Sequence, residues 1–278
     1  MAKPPVRPDL LVGPEALAAD LDRPGLRILD VRWRPDGSGR RAWEAGHVPG
    51  AVHLDWSAKL VAGVDDAGIA RLAPADLVAE ALAEAGVGTG SPVVVYDDSA
   101  SLYAARVWWS LRVNGLRFVR ILDGGFGAWR AAGLPVTGDQ PTVPPATFVP
   151  EQDRPERVTW SDVRALVRDP AVTFVDARPP AGGRTANGRG LEHLARAVSI
   201  PAVATTVPAT GRFRPPGELA ALFAKVRVEP GRRLVCYDGS GVGAAKVAFA
   251  ASLLGHEDVA VYDGGWAAWG ERSEDEPE

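Results

Sequence analysis

The chain has 278 residues, enough for two domains of ordinary size or for one large one. With 46% hydrophobic and 24% charged residues it has a globular composition, and its net charge of −4 offers no basic excess for nucleic acid. No apolar run approaches the ~20 residues of a membrane span, and Met1-Ala2-Lys3-Pro4-Pro5 lacks an apolar export core. One cysteine excludes an internal disulfide, and no Cys/His cluster has metal-ligand spacing. The expectation is a reduced, cytoplasmic protein that needs no cofactor and has no nucleic-acid or membrane partner.

In chain order, Pro14 to Leu21 reads as a helix opened by proline, Leu26 to Val31 as a strand, and Ala51 to Leu54 as a second short strand. Pro74 to Ala85 is a helix closed by Gly86, and Pro92 to Tyr96 is an apolar run of the kind buried on both faces of a sheet. Ala100 to Asn114 follows as a helix and Val119 to Leu122 as a strand. Thr137 to Arg157 holds five prolines and reads as an extended linker. Beyond it, Trp160 to Val167, Gly217 to Val226 and Ala244 to Leu254 read as helices. Thr173 to Asp176, Arg233 to Tyr237 and Val259 to Tyr262 read as strands, and the acidic tail from Ser273 to Glu278 reads as frayed.

These elements are written twice. Ile28-Leu29-Asp30-Val31-Arg32 recurs as Phe174-Val175-Asp176-Ala177-Arg178, an offset of 146. Val94-Val95-Tyr96-Asp97 recurs as Val235-Cys236-Tyr237-Asp238, offset 141, and Asp123-Gly124-Gly125 with Trp129 recurs as Asp263-Gly264-Gly265 with Trp269, offset 140. Constant order and spacing indicate a duplicated α/β unit, each copy a mostly parallel sheet with helices on both faces. The divisions are an N-terminal domain over 1–136, a linker over 137–157 and a C-terminal domain over 158–278.

The stretch with chemical content is Cys236-Tyr237-Asp238-Gly239-Ser240-Gly241-Val242-Gly243-Ala244. A strand runs into a glycine-rich turn and then a helix, which aims several backbone N–H groups at one point and suits an anion.

Together these marks resemble the rhodanese superfamily in its two-domain sulfurtransferase form. Gly46-His47-Val48-Pro49-Gly50-Ala51 resembles the family's G-H-[IV]-P-G-A signature. Asp123-Gly124-Gly125 and Asp263-Gly264-Gly265-Trp266 resemble its closing motif. The resemblance implies tandem rhodanese-like domains, a silent N-terminal copy, and a C-terminal loop such as C-G-S-G-V-T-A. In that loop a cysteine takes sulfur from thiosulfate or 3-mercaptopyruvate as a persulfide and passes it to a thiophilic acceptor. Gly239-Ser240-Gly241-Val242 matches without a gap, so the resemblance places Asp238 where the family has its nucleophile, with Gly243 in place of threonine. It also implies Ser240 as a hydrogen-bond donor in the cradle, and Arg178 and Arg184 as clamps for a small anionic sulfur donor. Arg178 equally suits an ion pair with a neighbouring acid.

Besides Gly243, the sequence departs from the pattern in three places. The second copy has Glu192-His193-Leu194-Ala195-Arg196-Ala197 where the histidine motif belongs. The segment from Pro179 to Gly190 is long and glycine-rich. The carboxylate of Asp238 has no sulfur to give a persulfide and would repel an anionic donor, while loop N–H groups favour its ionised form. The expectation is a sulfurtransferase scaffold deficient in that reaction, with an anion-binding or regulatory role and an unidentified protein partner. The alternatives are an atypical route through Cys236, which reads as a buried strand thiol, or Asp-centred chemistry. The latter would resemble haloacid-dehalogenase-type phosphotransferases, but Ser240 stands where those want a second Asp. His47 is expected to order its loop, and the nine tryptophans to fill helix–sheet packing.

Overall fold

The computed structural model describes residues 6–64, 70–151, 154–179, 194, 196–228 and 231–265. In the first half, strands β1 (Leu11–Val12), β2 (Arg27–Asp30), β3 (Ala51–His53), β4 (Val61–Val64), β5 (Ala70–Leu72), β6 (Val93–Tyr96) and β7 (Val119–Leu122) alternate with helices. These are α1 (Pro14–Ala19), α2 (Ser38–Ala45), α3 (Trp56–Lys59), α4 (Ala75–Glu84), α5 (Leu102–Val113) and α6 (Gly125–Ala131). The second half carries β8 (Arg157–Val158), α7 (Trp160–Leu166), β9 (Val172–Asp176), β10 (Val198–Ser199), α8 (Pro216–Lys225), β11 (Arg233–Tyr237), α9 (Val242–Leu253) and β12 (Val259–Tyr262).

Each half is built on a five-stranded sheet, in order β1-β7-β6-β2-β3 and β8-β12-β11-β9-β10. All pairings within both are parallel. The two orders are one order, position for position, as the duplication requires. The two-residue edge strands β1 and β8 were absent from the sequence reading because two residues carry no periodicity. β8 begins at Arg157, the last residue assigned to the linker, and pairs with β12. The extended segment before it is tied down: Glu151 N–H donates to the Asn114 carbonyl at 3.0 Å, and Phe148 is buried.

Helices α5 and α9 fix how the halves sit. Almost every residue of each is buried, as expected of a helix that is apolar on all sides. Each lies on its own sheet with one face and against the other helix with another, and Trp108 meets Phe249 edge-to-face at 4.8 Å. The largest apolar core therefore takes side chains from both halves. The junction is reciprocal. Asp123 accepts the Phe213 N–H at 2.9 Å, and its copy Asp263 accepts the N–H of Leu72, the copy of Phe213, at 2.7 Å.

Candidate functional site

The β11–α9 loop lies at the carboxyl end of a parallel sheet, where open α/β folds present their ligands. Gly241 takes φ +84° to turn the chain into α9. That conformation suits glycine, and it aims three N–H groups back at residue 238. All three are already taken. Asp238 Oδ1 accepts from Ser240 at 3.2 Å and from Gly241, and Oδ2 accepts from Gly243 at 2.8 Å. The side chain is 8% exposed. Ser240 thus contributes its backbone N–H, Val242 is the first residue of α9, and Gly239 closes the turn against Gly265. There a β-carbon on Gly265 would stand 2.4 Å from the Gly239 carbonyl oxygen.

Asp97 does the same in the first copy through a loop one residue longer. Its Oδ1 accepts from Ser99 at 2.8 Å and Ser101 at 3.0 Å, and its Oδ2 from Tyr103 and Ala104, both at 2.8 Å. The longer turn places Ala100 and Ser101 at φ 52° and 62°, in the left-handed region without glycine. In both loops burial pushes the carboxyl pKa up, against the backbone N–H bonds that pull it down. The loop N–H groups act on Asp238 as expected, toward the ionised form, and burial opposes them with the larger effect.

Sequence reasoning missed Arg106. This fully buried arginine on α5 of the first half crosses to the second, donating to Asp263 Oδ1 at 2.7 Å and to the Gly241 carbonyl at 3.3 Å. Its guanidinium also lies 4.4 Å from the Trp109 ring centroid. The corresponding residue of α9 is Lys246, also buried, which donates to Thr206 Oγ1 at 3.0 Å. A cation in the middle of each mostly apolar helix was the available signal.

Arg178 is held by Asp176, donating through its backbone N–H at 2.9 Å, Nε at 2.9 Å and Nη2 at 2.6 Å. Arg32 and Asp30 repeat that geometry in the first half, with Nε at 2.9 Å and Nη2 at 2.6 Å. Arg184 and His193 lie outside the described residues. Cys236 is fully buried on β11 between β9 and β12. Burial, with the Asp238 charge, pushes its thiol far above the ordinary range. Buried His47 sets its two ring nitrogens against the carbonyls of Trp43 at 2.8 Å and Asp139 at 3.1 Å, so it ties α2 to the segment after α6.

A strand–cradle–helix loop of this type, present twice on a duplicated parallel sheet, defines a class, and comparison with known proteins identifies it. Residues 13–132 and 159–272 each match the rhodanese-like domain. The chain is 34% identical over 268 residues to a probable 3-mercaptopyruvate sulfurtransferase of Pseudomonas aeruginosa, covering 93% of this chain and 94% of that one. It is 33% identical over 278 residues to the thiosulfate sulfurtransferase of Bos taurus, covering 93% and 90%. The crystal structure of the Escherichia coli 3-mercaptopyruvate sulfurtransferase SseA superposes with a TM-score of 0.83 at 28% identity, covering 92% and 98%. The chain belongs to the rhodanese family, as a two-domain protein resembling its sulfurtransferases.

Proposed function

We propose that this protein is a rhodanese-family scaffold in which persulfide transfer through the C-terminal loop is closed by Asp238, leaving a binding or regulatory role. The observation that carries this reading is the fate of the loop N–H groups. They could stabilise an anionic sulfur, but Ser240, Gly241 and Gly243 donate to the Asp238 carboxylate instead. A donor such as thiosulfate or a mercapto-acid would have to displace a tethered carboxylate and would find no thiolate there. Asp97 fills the N-terminal cradle in the same way. An anion-binding role therefore has to lie outside these two loops or require a loop rearrangement. The route through Cys236 is disfavoured by its full burial, since a protonated strand thiol is a poor nucleophile. One buried thiol with no partner fits a reducing, cytoplasmic setting. Arg178 stays in the reading as a clamp for a small anion, with Nε and Nη2 already on Asp176; Arg184, its proposed partner in that role, lies outside the described residues.

The test is incubation with thiosulfate or 3-mercaptopyruvate and cyanide, read as thiocyanate formed and as a mass increase of about 32 Da for one added sulfur atom. The wild type is expected to give neither. Asp238→Cys frees the cradle for a thiolate, which attacks the outer sulfur of thiosulfate and releases sulfite. The resulting persulfide gives its sulfur to cyanide, and the thiolate returns. That variant is expected to gain the mass adduct and measurable turnover. Wild-type turnover abolished by Cys236→Ser would overturn the reading.

A further inference from the structure

Gly243 is the second residue of α9, and it has no left-handed φ that would call for glycine. Glycine is the poorest helix former after proline, so its place in a helix needs another reason. The reason is contact. A β-carbon on Gly243 would stand 2.8 Å from Asp238 Oδ2 and 3.3 Å from the β-carbon of Ala202. The first distance is well inside the ~3.5 Å of a comfortable van der Waals approach. Asp238 has little room to give. Its two oxygens are held by three N–H groups, among them that of Gly243 itself at 2.8 Å, and the residue is buried. Moving it would strand a buried carboxylate oxygen and an N–H of the first helical turn, which has no acceptor within the helix.

The first copy houses its carboxylate by another route. The loop from Asp97 to α5 is one residue longer than the loop from Asp238 to α9, and Tyr103, the second residue of α5, occupies the place of Gly243. Tyr103 carries a full side chain and still donates its N–H to Asp97 Oδ2 at 2.8 Å. The longer loop, with Ala100 and Ser101 at φ 52° and 62°, makes the room. The facing residue differs to match. Leu54 bonds the Asp30 carbonyl as Ile200 bonds that of Asp176, which aligns Trp56 with Ala202. The Trp56 ring stacks on Tyr103 at 5.4 Å. A long loop and two large rings in one copy thus correspond to a short loop, Gly243 and Ala202 in the other. Both copies end with the carboxylate buried in its cradle.

We propose that Gly243 is the residue that determines which group the second cradle accepts from position 238. By withholding a β-carbon it admits a carboxylate on a loop of this length, and Asp238 and Gly243 act as one unit that keeps the cradle filled from within. A thiol or hydroxyl at 238 ends one atom short of the Oδ2 position and makes no demand on residue 243. This selectivity holds whether or not the protein transfers sulfur.

The test is a double-mutant cycle between Gly243→Ala and Asp238→Ser, read as urea unfolding midpoints. Beside Asp238, Gly243→Ala is expected to lower the midpoint. It should also speed hydrogen exchange at the residue 243 amide about tenfold or more, because Oδ2 is pushed off that N–H. In the Asp238→Ser background, Gly243→Ala should instead raise the midpoint slightly, as alanine favours the helix. If Gly243→Ala folds only when combined with Asp238→Ser, that is the same result in stronger form. An equal loss in both backgrounds would place the clash at Ala202 and overturn the proposal. So would unchanged exchange at residue 243 in Gly243→Ala, since the carboxylate would have kept its place. A second arm, which rests on the closed-loop reading above, compares Asp238→Cys with Asp238→Cys/Gly243→Ala in the thiosulfate reaction. The sulfur adduct should form as fast in the double variant as in the single one, and a much slower double variant would overturn the selectivity. If neither forms the adduct, the expectation for Asp238→Cys fails, while the unfolding cycle still decides the role of Gly243.

Discussion

Lys246 shows at the scale of one residue how duplication handles a buried charge. Arg106 and Lys246 are copies, but Arg106 meets a carboxylate at 2.7 Å whereas Lys246 meets a hydroxyl at 3.0 Å. Burial therefore lowers the Lys246 pKa to about 8, with Asp97 pulling the other way. Unfolded, the amine titrates near 10.5. Between those values the unfolded chain binds the extra proton, so this group makes stability rise as pH rises from 8 to 10.5 and leaves a constant penalty below 8. Lys246→Met is expected to raise stability by about 3 kcal/mol at pH 7, the size of the shift in free energy. That gain should shrink steadily toward pH 10.5. Urea unfolding midpoints of both proteins at pH 7, 9 and 10 measure it, and a gain independent of pH would contradict the assignment. Asp238 and Cys236 complete this scale. Asp238 was legible as the residue at the loop's head, because a gap-free motif fixed its position. That its oxygens meet the loop N–H groups follows from contacts two to five residues away. The sign of its pKa shift was not legible, because burial is set by neighbours that the loop sequence does not contain.

At the scale of elements, the glycines of the closing turns matter for close approach. Gly125 sits at φ +57°, and a β-carbon on it would lie 2.2 Å from the Asp97 carbonyl oxygen. Gly265 repeats this against Gly239 at 2.4 Å. Each closing turn is thus pressed onto the cradle loop of its own copy, and Phe126 N–H bonds the Asp97 carbonyl at 2.8 Å. Gly125→Ala is expected to cost more than about 3 kcal/mol, from overlap with backbone and a left-handed φ. Gly127→Ala, two residues on in α6 with nothing within 4 Å, should gain up to about 1 kcal/mol from helix propensity. Thermal denaturation of the pair checks the contrast, and equal effects would refute it. The Asp-Gly-Gly pattern was visible in the sequence as a repeat. The surface it presses against was not, since Asp97 and Gly125 belong to different strand ends joined only by the sheet order.

For the whole molecule, the two domains exchange anchors. Arg106 reaches the second loop from the first half, and Asp123 and Asp263 each bind a backbone N–H of the opposite half. Removing one member of a buried ion pair strands the other. Arg106→Met should therefore cost about 3 kcal/mol, softened because Arg157 lies 3.3 Å from the same carboxylate. Wild type is expected to unfold in a single transition because the core is shared. The Arg106 variant should show the second half opening first by hydrogen exchange around 238–243. Protection unchanged across that loop would show that the crossing arginine does not brace it.

The sequence alone determined the duplication, the parallel α/β architecture of each unit, the family, and the carboxylate at the loop's head. These depend on apolar periodicity and on short contiguous motifs, whose contacts span only a few residues. Tertiary structure decided that the Asp238 cradle is filled by its own residue, that Arg178 is held by Asp176, and that Arg106 crosses to the opposite domain while Lys246 is held by Thr206 of its own. Those outcomes depend on how α5 lies against α9, an orientation set by the summed packing of both halves and carried by no single stretch of chain. The loop that resembles a sulfurtransferase site could be read from the nine residues Cys236 to Ala244, but what occupies it required the burial of all its neighbours.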